Sequence, residues 1–511
     1  MRNHFYSMRI KALAMGAGFA AMLLLGCSPD EHQPLSSEDL VANTPASTKL
    51  RIEERIPDAN LILIVSDTMR RDRLGVYGGP AQTRAFDSFA KQNILFEHAY
   101  TQSPWTKPSM ATTFTSIYPS QHKVLDHPQP IRGRSGTTKS RPILECDVLN
   151  QKFTTMAEVL RESGFRTAAF VGNPWMVKPL GFSQGFQVYD DSFADFDVAG
   201  NVISDAGLQW LQDVGTDERF FLYLHYMDCH RPYAPVSISR LAERATQSQP
   251  EGRTLSRRAA EEIGWEVRIE GGQSLRDTAI QPSTNLIEMA YDGGVERFDR
   301  ALEAFLAGFA DHPAYERTAI LIISDHGEAL YTRGYGNHGQ GLYNDETQIP
   351  FAARLPGVLA CGNRIQQPVG LVDLLPSCCT YLGIECPETV FGESWLTTNS
   401  EPEKMNRRPT IVEGVGGKPS HRAIVQGAYK LLWQPQAGPD GKITALFNLA
   451  DDPHETHDLF EQENAKQVQR LVAGLLQAGR GTVPEFIAPD KEYAPIDPAV
   501  QRRLKSLGYL K

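Results

Sequence analysis

The sequence predicts an α/β fold in which a mixed, mostly parallel sheet lies between two layers of helices, with a smaller C-terminal α+β subdomain. Residues 60–65 form a nearly continuous apolar run of strand length, which is typical of a central parallel strand buried on both faces. Further strand-like runs alternate with helical patterns, and this alternation favours a sheet covered on both faces. The strand-like runs are 167–171, 220–224 and 319–323, and the helical patterns are 86–92, 154–163 and 291–309.

A change of pattern near residue 400 predicts the second part of the chain. Short strand-like pieces at 410–412, 422–425, 429–433 and 445–448 suggest a small antiparallel sheet. A closing helix is expected over 465–478 and a short docked helix over 500–510. Because a single core rarely grows beyond about 250–300 residues, the 511-residue chain is divided into a main domain, 56–398, and a C-terminal subdomain, 399–511.

The N-terminus predicts export. Arg2, Arg9 and Lys11 precede a short apolar run, 12–25, which is brief for a transmembrane helix. That run ends in Leu-Leu-Gly-Cys27, which resembles a bacterial lipobox with Cys27 as the lipidated residue; an uncleaved anchor or a chance Gly-Cys is the alternative. Residues 1–27 are therefore interpreted as a lipoprotein signal peptide and 28–55 as a flexible tether. We expect a lipid-anchored protein of the bacterial cell envelope, periplasmic or surface-facing.

The net charge restricts the class of binding partner, and the cysteines allow disulfide bonds. The formal net charge is −10, which argues against nucleic acid because phosphate neutralisation needs a basic surface. Six cysteines follow Cys27, and export permits disulfides. A loop from Cys361 to one of Cys378, Cys379 or Cys386 is possible, but pairing cannot be assigned from spacing alone.

Polar clusters follow three of the predicted strands. They are Ser-Asp-Thr at 66–68, Asp-His-Gly-Glu at 325–328, and the set His225, Asp228 and His230. One aspartate at a strand end is usually a helix cap, but three such strand ends together are harder to explain that way. In parallel α/β sheets, ligands bind beyond the carboxyl ends of the strands. Carboxylates and an imidazole gathered there predict a divalent-metal site.

Two segments near the start of the predicted main domain resemble the opening of the sulfatase family. Residues 60–77 look like the family's first strand and its metal-binding aspartate, which corresponds to Asp67. Thr68 stands where many sulfatases have a second aspartate, so this position departs from the family pattern. Thr106-Lys-Pro-Ser-Met110 occupies the place of the signature Cys/Ser-x-Pro-Ser-Arg, with Phe-Thr-Ser at 114–116 supporting the register.

Later segments extend the resemblance in the family's order. Residues 324–328 resemble the second metal segment and give Asp325 and His326, while 225–233 resemble the segment that carries a catalytic histidine, here His230. His338 stands where some sulfatases have a substrate-binding lysine. Residues 372–376 and 446–458 resemble structural motifs, so the likeness covers about 55–511. It implies an alkaline-phosphatase-like fold, a catalytic domain over 56–398, and hydrolysis of an anionic ester that is either small or polymeric.

Two departures from the family pattern matter. Sulfatases convert the signature Cys or Ser to formylglycine, and Thr106 is not a substrate for that conversion. Related phosphoethanolamine and phosphoglycerol transferases and nucleotide phosphodiesterases use an unmodified threonine at this place. In addition, Met110 replaces the family arginine and Gly-Asn173-Pro-Trp175 replaces Gly-Lys-x-His, so three cationic or proton-donating partners of a sulfate are missing.

The resemblance implies one divalent cation. A histidine at 326, where sulfatases often have asparagine, favours Mn²⁺ or Zn²⁺, with Ca²⁺ or Mg²⁺ possible. Glu328 is expected either to orient the His326 ring or to begin a helix. The implied ligands are Asp67, Thr106, Asp325 and His326, with Thr68 as a weaker candidate.

The resemblance also implies roles in catalysis. Thr106 is the expected nucleophile, and His230 the expected proton donor to the leaving group. Lys107, Asn173 and His338 are candidates for binding the ester oxygens. Lys107 is alternatively a solvated loop lysine, and Asn173 alternatively stabilises the turn before proline 174.

Three functions remain open at this point. The first is a phosphoester hydrolase or phosphoryl transferase that uses Thr106. The second is a sulfuric-ester hydrolase, because the pattern over the whole chain resembles that of sulfatases. The related transferases usually carry several membrane spans, and the sequence does not predict such spans here. The third is a catalytically silent lipoprotein that keeps the fold as a binding module.

Overall fold

The computed structural model describes residues 50–125, 129–130, 144–194, 198–236, 256–269, 282–360, 364–397, 408–414, 421–434, 441–461, 471–477, 492–495 and 501. These described residues all belong to one compact unit. A second unit, 1–33, lies outside the described residues, as does Cys27, so the signal peptide and its lipidation remain predictions. Within the described part of the chain, no helix has the length and apolar character needed to span a bilayer.

A nine-stranded sheet forms the centre of the molecule. Its strands are β1 (Asn60–Ser66), β2 (Ile94–Tyr100), β3 (Arg166–Val171), β4 (Val188–Asp190), β5 (Phe220–Tyr226), β6 (Thr318–Ser324), β7 (Gln348–Arg354), β8 (Arg364–Ile365) and β9 (Val369–Gly370). Eight of them lie in the order β8-β2-β7-β6-β1-β5-β3-β4, and β9 also pairs with β2. The pairs β6–β1, β1–β5, β5–β3 and β3–β4 are parallel, whereas β7 is antiparallel to β6 and β2. The predicted mixed, mostly parallel sheet is therefore confirmed.

The alternation of side chains in β1 explains why its apolar run is continuous. Leu61, Leu63 and Val65 belong to one hydrophobic cluster, and Ile62 and Ile64 to another. Successive side chains of a strand point to opposite faces, so both faces of the sheet are buried.

Helices cover each face. The cluster that holds Leu61 includes residues from α2 (Thr106–Thr115), α3 (Met156–Glu162) and α6 (Leu374–Leu382). The cluster that holds Ile62 includes residues from α1 (Arg84–Gln92), α4 (Gly200–Gln212) and α5 (Thr284–Ala310). The helix predicted at 291–309 begins at Thr284, seven residues earlier than expected. Ser283 caps its N-terminus by accepting a hydrogen bond from the amide of Leu286.

The C-terminal sheet also matches its prediction. It contains β10 (Thr410–Glu413), β11 (Arg422–Gln426), β12 (Tyr429–Gln434) and β13 (Lys442–Asn448), which pair antiparallel in chain order. A helix at 471–477 packs on it through Leu471 and Leu475. The docked helix predicted for 500–510 lies outside the described residues apart from residue 501.

Smaller elements surround these two sheets. Leu50–Ile52 pairs antiparallel with Val358–Ala360 and parallel with Leu396–Thr397, so the predicted tether is already a strand before residue 55. Tyr233–Val236 pairs with Val267–Ile269, which directly follows the helix Arg257–Glu266. The remaining short strands are Gln129–Pro130, Leu144–Asp147, Tyr493–Pro495, Ala329–Leu330 and Gly336–Asn337.

Buried charges fasten the C-terminal sheet to the main domain. The Glu455 carboxylate lies 2.7 Å from Lys430 Nζ and 3.4 Å from an Arg333 nitrogen, and it accepts the Asn344 amide at 2.6 Å. Lys430 also donates to the side chain of Asn344 at 2.8 Å. These contacts give residues 446–458 the structural role that the sequence predicts for them.

Candidate metal and nucleophile site

Three adjacent strands end at the site. In the parallel register, Ser66 of β1 lies beside Ser324 of β6, and Val65 lies beside His225 of β5. Asp67 and Asp325 each follow the last residue of a strand, so the sheet brings their carboxylates to one edge. The convergence predicted from the strand ends is therefore present.

Asp67, Asp325 and His326 form a buried group whose ligand atoms all lie within 4.8 Å of one another. Oδ1 of Asp67 and Oδ2 of Asp325 have no hydrogen-bond partner among the described residues. His326 donates its Nδ1 proton to the carbonyl of Gly327 at 2.8 Å, so its Nε2 carries the lone pair. Buried oxygens without donors are costly, and together with an imidazole lone pair they fit a single divalent cation.

The two carboxylates influence each other. Burial by itself raises the pKa of Asp67, but the His225 hydrogen bond and the nearby imidazoles outweigh it and hold that pKa well below its usual range. The pKa of Asp325 is raised well above its usual range, first by burial and then by the Asp67 charge. A second like charge is thus disfavoured until positive charge is supplied.

Thr106 is the first residue of α2 and is buried beside this group. Its Oγ1 lies 3.2 Å from His326 Nε2, 3.3 Å from Asp67 Oδ2 and 3.4 Å from Asn173 Nδ2. The helix N-terminus also favours negative charge at this point. The hydroxyl donates to the Asp67 carboxylate, and an alkoxide at this place would need a cation bound to the Asp67, Asp325 and His326 group to offset that negative charge.

Thr68 contributes through its backbone. Its φ is +55°, an uncommon conformation for a β-branched residue. Its amide donates to Asp325 Oδ1 at 3.1 Å, and its carbonyl accepts from the Tyr291 hydroxyl at 2.6 Å. Its Oγ1 is buried with no hydrogen-bond partner among the described residues, which is consistent with the weaker ligand role predicted for it.

Asn173 lies at the site and has two functions there. Its amide nitrogen donates to Asp67 Oδ2 and approaches Thr106, while its Oδ1 accepts the backbone amide of Trp175 at 2.6 Å. The turn-stabilising interpretation is therefore correct alongside a place in the site. The contact with Asp67 means that Asn173 acts on a candidate metal ligand before it acts on any ester.

Lys107 differs from both interpretations of the sequence. It is fully buried, and its ammonium forms an ion pair with the Asp147 carboxylate. The same Nζ approaches the Asp147 carbonyl at 3.1 Å and Cys146 Sγ at 2.6 Å. A helix turns about 100° per residue, so the side chain after Thr106 faces another direction. Lys107 is thus neither a solvated loop lysine nor a free cation for the ester.

The imidazoles of His230 and His338 line the site next to His326, which belongs to the metal group. The His338 ring centroid is 4.5 Å from that of His326 and 5.4 Å from that of His230. His230 donates its Nδ1 proton to the carbonyl of Arg231 at 2.5 Å, and burial lowers its pKa to about 4. His230 is therefore neutral near pH 7, with its lone pair on Nε2.

Glu328 has a different partner from the one expected. Its carboxylate lies 3.3 Å from Nδ1 of His338, whereas His326 is oriented by Gly327. The chain continues into the strand Ala329–Leu330, so no helix begins there. Burial raises the pKa of Glu328 to about 7.

His225 is a functional candidate to which the sequence assigned no role. Its Nε2 is 3.2 Å from Asp67 Oδ2, and its Nδ1 is 2.5 Å from the Tyr223 hydroxyl. Asp228, from the same polar cluster, instead accepts the amide of Gly200 at 3.2 Å and pairs with Arg297 at 3.1 Å. The strand register was the available signal, since His225 lies beside Val65, two residues before Asp67.

Comparison with known proteins places this geometry in a family. The sulfatase family profile matches residues 59–384, and the profile of the C-terminal part of N-sulphoglucosamine sulphohydrolase matches 339–480. The chain belongs to the sulfatase family. It is therefore an ester-bond hydrolase of the alkaline phosphatase superfamily, a family whose members bind a divalent metal ion.

Curated relatives of the chain include sulfatases, and solved structures share its fold. An arylsulfatase of Clostridium perfringens is 21% identical over 466 residues, covering 80% of this chain and 91% of the relative. An uncharacterized sulfatase of Escherichia coli, YidJ, is 24% identical over 79% of this chain and 83% of its own. BT4656, solved with D-glucosamine-2-N,6-O-disulfate, superposes with a TM-score of 0.65 at 17% identity, covering 84% and 98% of the two chains. The phosphonate monoester hydrolase of Agrobacterium radiobacter gives 0.61 at 16% identity, covering 83% and 96%.

Proposed function

We propose that this sulfatase-family hydrolase cleaves or transfers an anionic phosphoester, with Thr106 as the nucleophile. The observation that carries the proposal is the position of the Thr106 hydroxyl. It lies within 3.3 Å of both Asp67 and His326, at a helix N-terminus. A nucleophile that begins as an alcohol needs such surroundings to lose its proton near neutral pH.

The ligand group supports a cation at this place. A divalent ion held by Asp67, Asp325 and His326 would lower the pKa of a nearby hydroxyl and neutralise an ester oxygen. Mn²⁺ or Zn²⁺ is proposed because one ligand is an imidazole, with Ca²⁺ or Mg²⁺ as alternatives.

The reaction follows from the residues around Thr106. The Thr106 oxygen gives up its proton and forms a bond to phosphorus while the bond to the leaving oxygen breaks. The leaving oxygen takes up a proton and departs as an alcohol, and Thr106 is left esterified to the phosphorus group, which keeps its other substituent. Water or a second alcohol then attacks phosphorus, and the Thr106 oxygen leaves. Protonating the leaving oxygen requires His230 or His338 to gain a proton first, because His230 is neutral in the free site.

Phosphorus is proposed over sulfur because of the nucleophile. A sulfated threonine is an ordinary alkyl sulfate, and it lacks the second hydroxyl through which an aldehyde hydrate can expel sulfate. A phosphothreonine has no such difficulty, since phosphorus accepts a second in-line attack.

The charges around Thr106 favour one class of phosphorus ester. Lys107 is neutralised by Asp147, and positions 110 and 175 are a buried Met and a buried Trp. Arg231 is a cation near the site, since its charge acts on both His230 and Glu328. We propose that this limited positive charge among the described residues suits a singly charged centre, such as a phosphodiester or a phosphonate monoester, better than a doubly charged phosphate monoester. Asn173 and His338 remain proposed contacts of the ester oxygens.

A sulfuric ester is the second candidate. It is favoured by the curated relatives, which include the Clostridium perfringens arylsulfatase and the YidJ sulfatase. An inactive sulfatase-fold lipoprotein that only binds its ligand is the third candidate.

A substrate panel separates these functions. Purified protein would be assayed with bis(4-nitrophenyl) phosphate, 4-nitrophenyl phenylphosphonate, 4-nitrophenyl phosphate and 4-nitrophenyl sulfate, each with Mn²⁺, Zn²⁺, Ca²⁺ or Mg²⁺. We expect turnover of the first two substrates with Mn²⁺ or Zn²⁺, and loss of that turnover in Asp325→Asn. Turnover of the sulfate alone would overturn the phosphoester proposal, and metal retention without any turnover would favour the binding lipoprotein.

We also propose that the protein is anchored in the bacterial envelope through a lipid on Cys27. The support is the sequence Leu-Leu-Gly-Cys27 behind a basic and apolar start. Cys27→Ala should move the protein from the membrane fraction to the soluble fraction or leave an unprocessed precursor. Unchanged fractionation and mass would contradict the anchor.

A further inference from the structure

The two oxygens of Asp67 have different environments. Oδ2 is within hydrogen-bonding distance of Asn173 Nδ2, of His225 Nε2 at 3.2 Å and of Thr106 Oγ1 at 3.3 Å. Oδ1 is equally buried, but it has no hydrogen-bond partner among the described residues. A carboxylate held this way through one oxygen presents the other in a fixed direction.

Tyr223 fixes the proton of His225. Both residues lie in β5 and, being two apart, point to the same face of the sheet. Burial raises the pKa of Tyr223 well above its usual range, so its hydroxyl keeps its proton and can donate to Nδ1 of His225 at 2.5 Å. With the Tyr223 hydroxyl donating to Nδ1, the Nε2 of His225 is left to donate to Asp67 Oδ2, which lies 3.2 Å away.

The tyrosine is itself held by aromatic packing. Its ring centroid is 5.1 Å from that of Phe114 and 6.2 Å from that of Phe186. Phe114 lies on α2, the helix that begins with Thr106. The orientation of Asp67 is therefore set by the core of the domain, through Tyr223 and His225.

His225 is not one of the clustered ligands. The group within 4.8 Å contains Asp67, Asp325 and His326, and the Nε2 of His225 faces the oxygen of Asp67 that is already occupied. We propose that His225, oriented by Tyr223, is a positioning residue that holds Asp67 through Oδ2 so that Oδ1 faces a divalent cation. This inference depends on the cation site and not on which ester is cleaved.

The test measures cation binding without substrate. Full-length protein would be stripped with a chelator and titrated with Mn²⁺ by calorimetry. Replacing a residue that orients a metal ligand typically costs about 10–100-fold in affinity, so we expect that loss in His225→Ala. His225→Gln, whose side-chain amide can donate near the former Nε2, should regain most of the affinity, and Tyr223→Phe should lose less than the alanine variant. His225→Ala that keeps wild-type affinity while remaining folded would overturn the proposal.

Two controls make every outcome informative. His122→Gln alters a buried histidine that contacts Thr112 and Val124, so it should lower stability without lowering Mn²⁺ affinity. Co²⁺ absorption distinguishes a positioning residue from a ligand: the visible bands should be the same in wild type and His225→Gln, and altered bands would overturn the positioning role. If His225→Ala fails to fold, His225→Gln and Tyr223→Phe carry the test, and wild-type affinity in Tyr223→Phe would refute the part assigned to Tyr223.

Discussion

Replacing Thr106 by alanine separates the catalytic role of its hydroxyl from its structural role. The three contacts of Oγ1 are long, 3.2–3.4 Å, and a net hydrogen bond contributes about 0.5–1.5 kcal/mol. We therefore expect the free energy of unfolding to fall by no more than about 1–2 kcal/mol. The loss of a nucleophile should lower kcat/KM by about 10⁴-fold or more, which corresponds to roughly 5.4 kcal/mol of transition-state stabilisation.

The assay compares wild type, Thr106→Ala and Thr106→Ser on whichever ester the wild type turns over. The serine variant keeps the oxygen and loses only a methyl group, so its activity should remain within about tenfold of wild type. Acid quenching during turnover, followed by peptide mass spectrometry, should find the phosphorus-containing group on residue 106 in the wild type and in Thr106→Ser, but not in Thr106→Ala. An alanine variant that is folded and keeps a tenth or more of wild-type activity would refute Thr106 as the nucleophile.

Three further predictions concern buried groups outside the reacting centre. Lys107→Met should lower the free energy of unfolding by about 3–5 kcal/mol because it removes the ammonium that pairs with the buried Asp147 carboxylate. Urea unfolding would show this, and an unchanged stability with a raised KM would instead favour the ester-binding role. Burial lowers the pKa of His122 to about 3, so the unfolded chain binds its proton first as the pH falls. Stability should therefore fall by about 1.4 kcal/mol per pH unit between pH 6.5 and 3, and His122→Asn should remove this slope; an identical slope would contradict the assignment. The thiols of Cys379 and Cys386 are within hydrogen-bonding distance, so in an exported protein they should oxidise to a disulfide. Reducing this disulfide should lower the free energy of unfolding by about 2.5 kcal/mol. Alkylation of both thiols in the untreated protein would exclude the disulfide.

The positions of the candidate metal ligands were predictable because they depend on backbone topology. Parallel strands present their carboxyl ends at one edge, so Asp67 and Asp325 meet there once the strands are assigned. The apolar run of β1 predicts a strand even without an alignment. A strand buried on both faces is apolar at successive positions, so its sequence shows no alternation of polar and apolar residues. The position of Thr106 was predictable as well, because its spacing from Asp67 in the sequence matches the family pattern.

The partners of individual side chains were not predictable in this way. Lys107 pairs with Asp147, 40 residues away, and nothing in the local sequence marks that carboxylate as its partner. Glu328 binds His338 because the chain between them turns back through a short hairpin, whereas sequence proximity pointed to His326. Such choices depend on side-chain directions across several elements, and a one-dimensional pattern does not encode them.

The distribution of charge connects the fold to the proposed substrate. Two pairs near the site fix structure: Arg70 binds Asp72 at 2.7 Å, and Lys107 binds Asp147. Asp67 and Asp325 bring two formal negative charges to the reacting centre, which one divalent cation would cancel. An ester with one negative charge then adds a single uncompensated charge, whereas a phosphate monoester adds two in a region of low dielectric constant. We therefore predict that the protein prefers singly charged esters, and a measured kcat/KM that favours 4-nitrophenyl phosphate over bis(4-nitrophenyl) phosphate would show that this charge balance is wrong.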